Sequence, residues 1–475
     1  MDKTDPLPPS LIARFVGIVG ERHALTEPGE TAPYVTEPRG LFGGRTGLVL
    51  RPGSVEEVSR ILRLATETGT AVVPQGGNTG LVGAQMPDRS GRQVVLSLSR
   101  LDRIRELDPL SNTVIAEAGV VLERLHAAAD AADRLFPLSL ASQGSCQIGG
   151  NLSSNAGGTA VLAYGNAREL CLGVEVVLPT GEVLDDLRKL KKDNTGYDLK
   201  NLFVGAEGTL GVITTAVLKL FPKPKGREVA WAGVASSEAA LALFGMAQDR
   251  AGPSLTAFEL IGATPLSFAE KHLPGAVKPL AGDWPWHVLM EVSSGRSGED
   301  ARNIVEEILA AGLEDGVVGD ATIAASLAQA SAFWKLRESL SDVQKPEGGS
   351  IKHDISVPVA SIPAFIATAG KAVASVSPGA RVACFGHMGD GNLHYNISQP
   401  VGADTETFLA LYGAMNKAVY EVVRSFGGSI SAEHGIGVVK RDVLAATAPP
   451  VALGLMRRVK AAFDPAGIMN PGKVI

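Results

Sequence analysis

The sequence is poor in the residues that define several classes of protein. It has only three cysteines, Cys146, Cys171 and Cys384, and they form no CxxC pair. Three such residues are too few for a disulfide scaffold or an iron–sulfur cluster, which favours a reducing compartment. The formal net charge is −6, aromatic residues make up 5%, and no basic block is present. A nucleic-acid footprint is therefore missing, and we expect small molecules or proteins as partners.

Long hydrophobic runs are also missing. No apolar run approaches the roughly 18 residues that a membrane span needs. The N-terminal stretch "MDKTDPLPPSLIARF" is broken by prolines and charges. Because a secretory signal needs an apolar core, we expect no such signal here and a cytoplasmic location.

The bulk composition indicates a soluble globular protein of more than one domain. Hydrophobic residues make up 45% of the 475 residues and charged residues 20%. A prior of about 150 residues per domain suggests two or three domains. The 55 glycines are more than usual, so tight turns or close approaches of backbone to a ligand should be numerous.

The pattern of elements predicts an α+β fold. Residues 47–75 indicate a βαβ unit, in which Ser54 and Glu57 make a capping box and Gly69 ends the helix. More strands follow until the Pro/Lys/Gly cluster "FPKPKG" near residue 224, after which strands and helices alternate. We predict a first domain over residues 1–224, a second α+β domain over 225–430, and a helical C-terminal segment over 431–475.

Three glycine-rich loops in the first domain indicate a nucleotide cofactor. They are "PQGGNTGLVG" (74–83), which directly follows a strand, "QGSCQIGGNLSSNAGGTAVLAYGNARE" (143–169) and "GAEGTLGVIT" (205–214). Glycine lets successive backbone N–H groups point into one concavity, which suits a phosphate. The first loop matches neither the Rossmann nor the Walker pattern, and taken alone it could equally be a tight connection.

The order of these loops, with a terminal "NPGK", resembles the FAD-binding domain of the vanillyl-alcohol-oxidase/PCMH flavoprotein superfamily. The resemblance implies a two-subdomain FAD-binding domain, a substrate-binding cap domain with an antiparallel sheet, and a C-terminal segment that returns to the FAD site. Asn78 stands where members with covalent FAD often have histidine, which implies non-covalent FAD. The implied cofactor-binding residues are Pro74, Gly76, Gly77, Asn78, Thr79, Gly80, Leu81, Ser145, Gly149, Gly150, Asn155, Gly157, Gly158, Glu207, Gly208, Ile213 and Asn470.

The stretch "CFGHMGDGNLHYNI" (384–397) holds two histidines and predicts a hairpin with Asp390-Gly391 at its turn. Strand alternation places Asn392, His394 and Asn396 on one face. His387 lies beside the turn in the partner strand, so both imidazoles could converge. Two histidines need a third, anionic ligand for a catalytic zinc, and "SAEHGIG" offers Glu433 next to His434. Satisfied histidines of the core or surface are the alternative interpretation.

The "GHMGDGNLH" and "EHG" motifs resemble those of FAD- and zinc-dependent D-2-hydroxy acid dehydrogenases, from about Tyr34 to the C-terminus. This resemblance implies His387, His394 and Glu433 as ligands of Zn²⁺ or another divalent metal. It implies His434 as the base and Asn396 as a substrate contact.

A third motif, "FWKLRESLSDVQKPEGGSIKHDISVP" (333–358), resembles the 2-hydroxyglutarate dehydrogenases within this family. Arg337 and Ser341 are four residues apart on a predicted helix, and Lys352 begins a predicted strand. The family has threonine at the position of Ser341, which keeps the hydroxyl. The resemblance implies that Arg337, Ser341 and Lys352 bind a second substrate carboxylate, although a lone Arg or Lys is more often on a solvated face.

The resemblance as a whole implies oxidation of a D-2-hydroxy acid, above all D-2-hydroxyglutarate, by hydride transfer to flavin N5. A D-lactate or broader D-2-hydroxy acid dehydrogenase, a flavin oxidase, and a flavin-free zinc hydrolase are the alternatives. The family implies an electron-transfer flavoprotein as electron acceptor ahead of a quinone-linked carrier. A homodimer is compatible with the sequence.

Overall fold

The computed structural model describes residues 7–37 and 40–475, and the chain within them divides into two compact units. The first unit holds the described residues up to Gly157, then Gly165–Pro222 and Glu433–Ile475. The second holds Gly158–Tyr164 and Lys223–Ala432. The first six residues of the stretch that we tested for a secretory signal lie outside the described residues, as do residues 38 and 39.

Helices and strands occur in both units. The helices are α1 (Pro9–Val19), α2 (Pro28–Val35), α3 (Val55–Thr68), α4 (Leu122–Ala131), α5 (Ile148–Ser153), α6 (Val161–Tyr164), α7 (Ala167–Leu170), α8 (Lys200–Phe203), α9 (Ser237–Ala251), α10 (Ala263–His272), α11 (Gly298–Glu314), α12 (Leu327–Ser339), α13 (Ile362–Val376), α14 (Thr405–Leu409), α15 (Tyr412–Ser425), α16 (Arg441–Thr447) and α17 (Pro450–Phe463). The strands are β1 (Ala24–Leu25), β2 (Val49–Leu50), β3 (Val72–Gln75), β4 (Val94–Ser97), β5 (Ile104–Asp108), β6 (Thr113–Glu117), β7 (Arg134–Leu135), β8 (Cys171–Val177), β9 (Val183–Asp186), β10 (Val212–Lys219), β11 (Phe221–Pro222), β12 (Gly226–Val234), β13 (Leu255–Gly262), β14 (Trp286–Ser294), β15 (Asp320–Ile323), β16 (Ser350–Ile351), β17 (Asp354–Ser356), β18 (Arg381–His387) and β19 (Asn392–Ser398).

The first unit contains two main sheets. A four-stranded sheet has the order β1-β2-β4-β3, and β4 pairs in parallel with both β2 and β3. A five-stranded antiparallel sheet has the order β5-β6-β10-β8-β9. The chain's C-terminal tail joins the first sheet, because the Asn470 backbone N–H donates to the Val72 carbonyl at 2.8 Å. This arrangement agrees with the implied two-subdomain FAD-binding fold.

The predicted βαβ unit is present, with β2, α3 and β3 in the expected order. Ser54 caps α3 by accepting a hydrogen bond from the Glu57 N–H, and Gly69 ends the helix in the left-handed conformation. The Glu57 carboxylate, however, accepts from the Gly53 N–H and not from Ser54. β2 and β3 are not neighbours either, because β4 lies between them. Apolar residues of α3, including Val58, Ile61 and Leu62, pack into the core of this unit.

The second unit is built on an eight-stranded sheet of antiparallel pairs, as implied for the cap domain. Its order is β15-β12-β14-β13-β18-β19-β16, and β17 also pairs with β19. Trp231 on β12 and Phe333 and Trp334 on α12 belong to a core cluster on this sheet. Serine residues cap α9, α11 and α12 by accepting from backbone N–H groups. The sheet thus carries the predicted histidine hairpin, β18–β19, between β13 on one side and β16 and β17 on the other.

Within the described ranges, one helix qualifies, by length and composition alone, as a candidate membrane span. It covers Val359–Val376 and includes α13, although the sequence predicts no span. Phe365, Ala369 and Val373 are buried, and the Phe365 ring contacts the rings of Tyr395 and Phe426. The exposed positions carry alanine, threonine, lysine and serine. This is the pattern of an amphipathic helix that packs on the core of a unit.

Candidate functional site

The first two glycine-rich loops meet in the first unit. The first loop begins where β3 ends, at Gln75, and a Cβ atom on Gly77 would lie 2.0 Å from the Ser145 carbonyl oxygen of the second loop. Only glycine can occupy a position where two backbones approach this closely. The loops line a cleft together with Glu207, Gly208 and Ile213 of the third segment.

Four of the predicted cofactor residues have an unusual backbone conformation. Asn78, Asn155, Glu207 and Asn470 have φ values between 44° and 55°, in the left-handed region. Such conformations are uncommon for residues other than glycine, and they cluster at binding and active sites. These conformations therefore favour a ligand-binding role for the loops over a role as simple turns.

The cleft also contains buried polar atoms that a bound ligand could satisfy. Buried side-chain atoms of Asn78, Gln85, Gln147 and Asn151 have no hydrogen-bond partner among the described residues, and all four residues line the cleft. Leaving such atoms unpaired in a folded protein costs free energy, so a polar ligand is expected to satisfy them. Three of these atoms are amide oxygens, which accept, and the Asn151 atom is an amide nitrogen, which donates. The hydroxyl and N–H groups of a nucleotide cofactor can satisfy the oxygens, and its phosphates or ring heteroatoms can satisfy the nitrogen. Gln85, Gln147 and Asn151 were missed in the sequence, although two of them lie within the second loop.

The predicted cofactor residues differ in their relation to the cleft. Its lining includes Pro74, Gly76, Gly77, Asn78, Thr79, Gly80, Gly149, Gly150, Glu207, Gly208 and Ile213, but not Leu81, Ser145, Asn155, Gly157 or Asn470. Gly158 belongs to the second unit. Asn155 accepts from the Arg168 N–H, and Asn470 donates to the carbonyls of Ala84 and Glu207. These two asparagines therefore brace the loops.

Glu207 holds the C-terminal segment against the cleft. Its carboxylate oxygens accept hydrogen bonds from the backbone N–H groups of Ile436 and Gly437, at 2.7 and 2.8 Å. Burial raises the pKa of Glu207, and these two donors oppose that effect. His434 lines the same cleft, with its Nε2 atom 3.6 Å from a Glu433 carboxylate oxygen. An imidazole at this position is placed to act on a molecule bound in the cleft.

In the second unit, the predicted histidine hairpin is present. β18 and β19 are antiparallel, Gly391 at the turn has φ 87°, and the Asp390 carboxylate accepts from the Asn392 N–H. Phe385 lies opposite His394, so His387, two residues along, is on the same face. The two imidazole centroids are 5.9 Å apart. The side chains converge as the alternation predicts.

Asp354 is a candidate ligand that the sequence analysis missed. It lies directly opposite His394 in the β17–β19 register and is buried. A carboxylate oxygen of Asp354 and a ring nitrogen of His394 lie within 4.8 Å of each other, and Asp354 also accepts from the Asn392 side-chain amide. The signal lay in the sequence "KHDISVP", two residues after Lys352. Only the strand register, which sequence alone does not fix, brings it to His394.

Glu259 on β13 links His387 to Arg337. It is fully buried, and its two oxygens lie 2.7 Å from His387 Nδ1 and 2.7 Å from Arg337 Nε. Burial would raise the pKa of Glu259, but its interactions with Arg337 and His387 outweigh that effect and lower the pKa to about 2. No motif marked Glu259 in the sequence, because its partners are 78 and 128 residues away.

The three predicted carboxylate-binding residues are arranged differently from the expectation. Helix α12 ends at Ser339, so Ser341 lies beyond it and not on its face with Arg337. Lys352 lies between β16 and β17 and begins neither strand. The Lys352 ammonium donates to the Ser341 carbonyl and hydroxyl, at 2.8 and 3.0 Å. Ser341 and Lys352 are thus brought together by loops.

Arg337 carries a buried donor that no described residue accepts. Its side chain is 7% exposed, its Cζ atom lies 5.0 Å above the Phe385 ring, and its Nη2 atom has no hydrogen-bond partner among the described residues. Asn396, the other predicted substrate contact, is buried and accepts from the His353 N–H. A buried guanidinium N–H is a strong donor for a carboxylate. The second unit therefore combines two imidazoles, two carboxylates and an unsatisfied guanidinium.

Two family models match the chain, and together they define an FAD-linked oxidoreductase. The model for the C-terminal domain of FAD linked oxidases matches residues 223–474, and an FAD binding domain model matches residues 46–186. Relatives cover most of the chain as well. D-2-hydroxyglutarate dehydrogenase, mitochondrial, from Danio rerio is 40% identical over 91% of this chain and 79% of its own length. The chain belongs to the family of FAD-dependent D-2-hydroxyglutarate dehydrogenases.

Other relatives agree with this assignment, and a solved structure agrees with the fold. D-2-hydroxyglutarate dehydrogenase from Xanthomonas citri pv. viticola is 36% identical over 94% of this chain and 93% of its own length. A relative from Saccharomyces cerevisiae, D-2-hydroxyglutarate–pyruvate transhydrogenase, is 35% identical over 98% and 94%. The solved structure of p-cresol methylhydroxylase has a TM-score of 0.77 at 16% identity, covering 98% of this chain and 96% of that one. At this identity the last comparison shows the fold alone.

The prediction of a cytoplasmic location is wrong by these comparisons. The relatives from Danio rerio, Bos taurus and Arabidopsis thaliana are named mitochondrial, whereas the Xanthomonas relative carries no such term. The prediction depended on the lack of an apolar secretory core. Mitochondrial targeting segments are amphipathic and have no such core, so the test could not distinguish the two locations.

Proposed function

We propose that this chain oxidises D-2-hydroxyglutarate to 2-oxoglutarate with non-covalent FAD and a divalent metal, for which zinc is the best candidate. The observation that carries the substrate assignment is Arg337. Its buried guanidinium, on helix α12, has an unpaired Nη2 donor and contacts Glu259 and Phe385 of the sheet that carries the two histidines. A carboxylate at the end of the substrate opposite its hydroxyl would satisfy that donor. The names of the relatives support the same substrate.

The proposed metal ligands are His387, His394 and Glu433. His387 and His394 share one face of the β18–β19 hairpin, and two neutral imidazoles with one carboxylate suit zinc with an open position. His387 bonds a buried carboxylate through Nδ1, the arrangement that metal-bound histidines usually have. Asp354, opposite His394, is a further candidate. The two imidazoles and the Asp354 carboxylate, all in the second unit, are donors of the kind that a divalent metal binds.

In the proposed reaction, each residue has a defined task. When bound, the metal would supply Lewis-acid polarisation of the substrate hydroxyl, and the flavin N5 of FAD would supply an acceptor for the hydride from C2. His434 takes the hydroxyl proton, a role that suits imidazole because it titrates near neutral pH. Arg337, Ser341 and Lys352 bind the distal carboxylate, with Arg337 as the directional donor and Lys352 as a point charge. Asn396 contacts the substrate.

The cofactor site follows from the first unit. The predicted loop residues from Pro74 to Leu81, with Ser145, Gly149, Gly150, Asn155, Gly157, Gly158, Glu207, Gly208, Ile213 and Asn470, form or brace the FAD site. Asn78 offers no nucleophile to the isoalloxazine ring, and its side-chain amide donates to the Pro33 and Thr36 carbonyls. We therefore propose that acid denaturation releases the flavin into solution and leaves none on the chain.

A direct test is a substrate panel with the purified, FAD-loaded protein and an artificial dye as electron acceptor. D-2-hydroxyglutarate, its L enantiomer and D-lactate are compared with and without a chelator. We expect D-2-hydroxyglutarate to have the highest kcat/KM and the chelator to remove turnover. A preference for D-lactate would instead support the broader hydroxy acid dehydrogenase.

The physiological electron acceptor is a separate part of the proposal. An electron-transfer flavoprotein is our first proposal and a quinone-linked carrier the second. The yeast relative's name adds pyruvate, a 2-oxo acid, as a further acceptor to assay. Reduction of pyruvate coupled to D-2-hydroxyglutarate oxidation, without any dye, would favour the transhydrogenase.

A further inference from the structure

Glu259 has no role in the proposed reaction, yet it contacts two groups that do. Its carboxylate joins His387 Nδ1 on one oxygen and Arg337 Nε on the other, both at 2.7 Å. The carboxylate is fully buried on the central strand β13. We propose that Glu259 is a positioning residue that fixes both a metal-ligand imidazole and the guanidinium that binds the substrate's distal carboxylate. This inference rests on the proposed function.

The first arm of the proposal concerns the tautomer of His387. A neutral imidazole carries one proton, and only its other nitrogen has a lone pair for a metal. An ionised carboxylate accepts hydrogen bonds but cannot donate one, so Glu259 places the proton on Nδ1. Nε2 is then the nitrogen that presents a lone pair on the hairpin face shared with His394. Glu259 therefore selects the metal-binding form of His387 before a metal arrives.

The second arm concerns the orientation of Arg337. Glu259 takes the Nε donor, and Phe385 supports the guanidinium plane from one side, with Cζ 5.0 Å from the ring centroid. These two contacts fix the plane and leave Nη2 buried without a partner among the described residues. A guanidinium held in this way loses little further freedom when it binds a carboxylate. The Glu259 carboxylate thus holds the Arg337 guanidinium and the His387 imidazole in a fixed position relative to each other.

A structural ion pair is the competing explanation, and the second unit contains a suitable control. Glu347 also binds one histidine and one arginine, His272 and Arg381, and its side chain is 8% exposed. Arg381, however, donates Nη2 to the Glu347 carbonyl and Nε to the Gln399 carbonyl, so all three of its nitrogens are used. Glu347 therefore tests what the loss of a Glu–His–Arg bridge does to folding alone.

The experiment compares E259Q, E259D and E347Q with the wild type as FAD-loaded full-length protein. Glutamine has the shape of glutamate but no negative charge. Its amide nitrogen can only donate, so one of the two contacts with His387 and Arg337 loses its acceptor. Four quantities are measured: the affinity for Zn²⁺ by chelator competition, kcat and KM for D-2-hydroxyglutarate, and Tm. Zn²⁺ affinity is read without turnover, so the metal arm does not depend on activity.

We expect E259Q to weaken Zn²⁺ binding by about 10- to 100-fold, the usual effect of losing a metal ligand's hydrogen-bond partner. KM should rise together with this loss, and E259D should recover part of both. E347Q should lower Tm but leave Zn²⁺ affinity and KM, per FAD-loaded molecule, within about twofold of wild type.

Wild-type Zn²⁺ affinity and KM in E259Q would overturn the inference, as would an equal loss in E347Q. If E259Q does not fold, E259D decides, because an unchanged Zn²⁺ affinity and KM in that variant also contradicts the proposal. Measurements on the wild type distinguish failure of the proposed metal-dependent function from failure of the positioning role of Glu259. A wild type that oxidises D-2-hydroxyglutarate without any metal removes the metal from the proposed function and overturns the His387 arm. A metal-dependent wild type with an unaffected E259Q removes only the positioning role.

Discussion

Glu259 and Glu347 lie in the same unit and both bind a histidine and an arginine. They differ in whether the remaining nitrogens of that arginine have hydrogen-bond partners. Each carboxylate binds one arginine and one histidine, and each has a pKa lowered to about 2. Arg381 has all its nitrogens paired, whereas Arg337 has a buried Nη2 without a partner among the described residues. The comparison teaches that the presence of an ion pair says little about function. The unsatisfied donor beside it is the informative feature.

The surroundings of the two bridges explain the difference. Glu347 lies at the end of a short 3₁₀ turn, Lys345–Glu347, and also binds the exposed Lys271, so solvent reaches part of this network. Glu259 is on the central strand β13 and fully buried. Burying charges away from water carries a desolvation cost, so a buried ion pair adds little net stability. We therefore attribute the Glu259 bridge to function and not to stability. Four predictions test this comparison, in order of the expected effect.

Replacing Arg337 or Arg381 by methionine should give the largest difference in turnover between the two bridges. Arg337→Met leaves Glu259 buried without its main counter-charge, which should cost about 3–5 kcal/mol of folding free energy. Turnover of D-2-hydroxyglutarate should fall at least 100-fold per folded molecule, because the clamp is lost. Arg381→Met should lower Tm and leave kcat/KM of the folded fraction nearly unchanged. Chemical denaturation and steady-state kinetics on both variants check this, and equal kinetic losses would contradict the comparison.

Lys352→Met should affect diacids more than monoacids. Lys352 binds Ser341, and we assign both to the distal carboxylate that only a diacid has. We expect kcat/KM for D-2-hydroxyglutarate to fall by about 10- to 100-fold, the range for a lost charge-assisted contact. The value for D-lactate should change less than about threefold. An equal decrease for both substrates would remove the discriminating role of Lys352.

Local signals in the sequence were sufficient for the fold class and for the position of several elements. Ser54 and Gly69 mark the ends of α3, and strand alternation in "CFGHMGDGNLHYNI" places His387 and His394 on one face, since both signals are local. Glu259, Asp354 and the paired state of Arg381 could not be found in this way. Each depends on the register between strands or loops that are distant in sequence, and no local pattern specifies that register. The same holds for Ser341, which an i, i+4 spacing placed on a helix that ends before it.

The pH dependence of stability should distinguish Glu347→Gln from wild type. Hydrogen bonds from Lys271, Arg381 and His272 lower the pKa of Glu347 to about 2, below its ordinary value of 4.5. A carboxylate whose pKa is lowered on folding stabilises the protein above its unfolded pKa, and that stabilisation is lost as the pH falls toward the folded value. The Tm difference between wild type and E347Q should therefore be largest at pH 6 and shrink toward pH 3. A difference that does not change with pH would show that Glu347 acts through shape and not charge.

Ser341→Ala should have the smallest effect, and it tests whether the Ser341 hydroxyl contributes to the carboxylate site that we assign to Arg337 and Lys352. The substitution removes the hydroxyl that accepts from Lys352, while the Ser341 backbone carbonyl still accepts from it at 2.8 Å. Because Lys352 keeps this second partner, we expect KM for D-2-hydroxyglutarate to rise only about three- to tenfold, which corresponds to the loss of one hydrogen bond of about 1 kcal/mol. Ser341→Thr keeps the hydroxyl and should restore KM, whereas Tm should be unchanged in both variants. If threonine does not restore KM, the Ser341 backbone and not its hydroxyl positions Lys352, and the carboxylate site then depends on Arg337 and Lys352 alone.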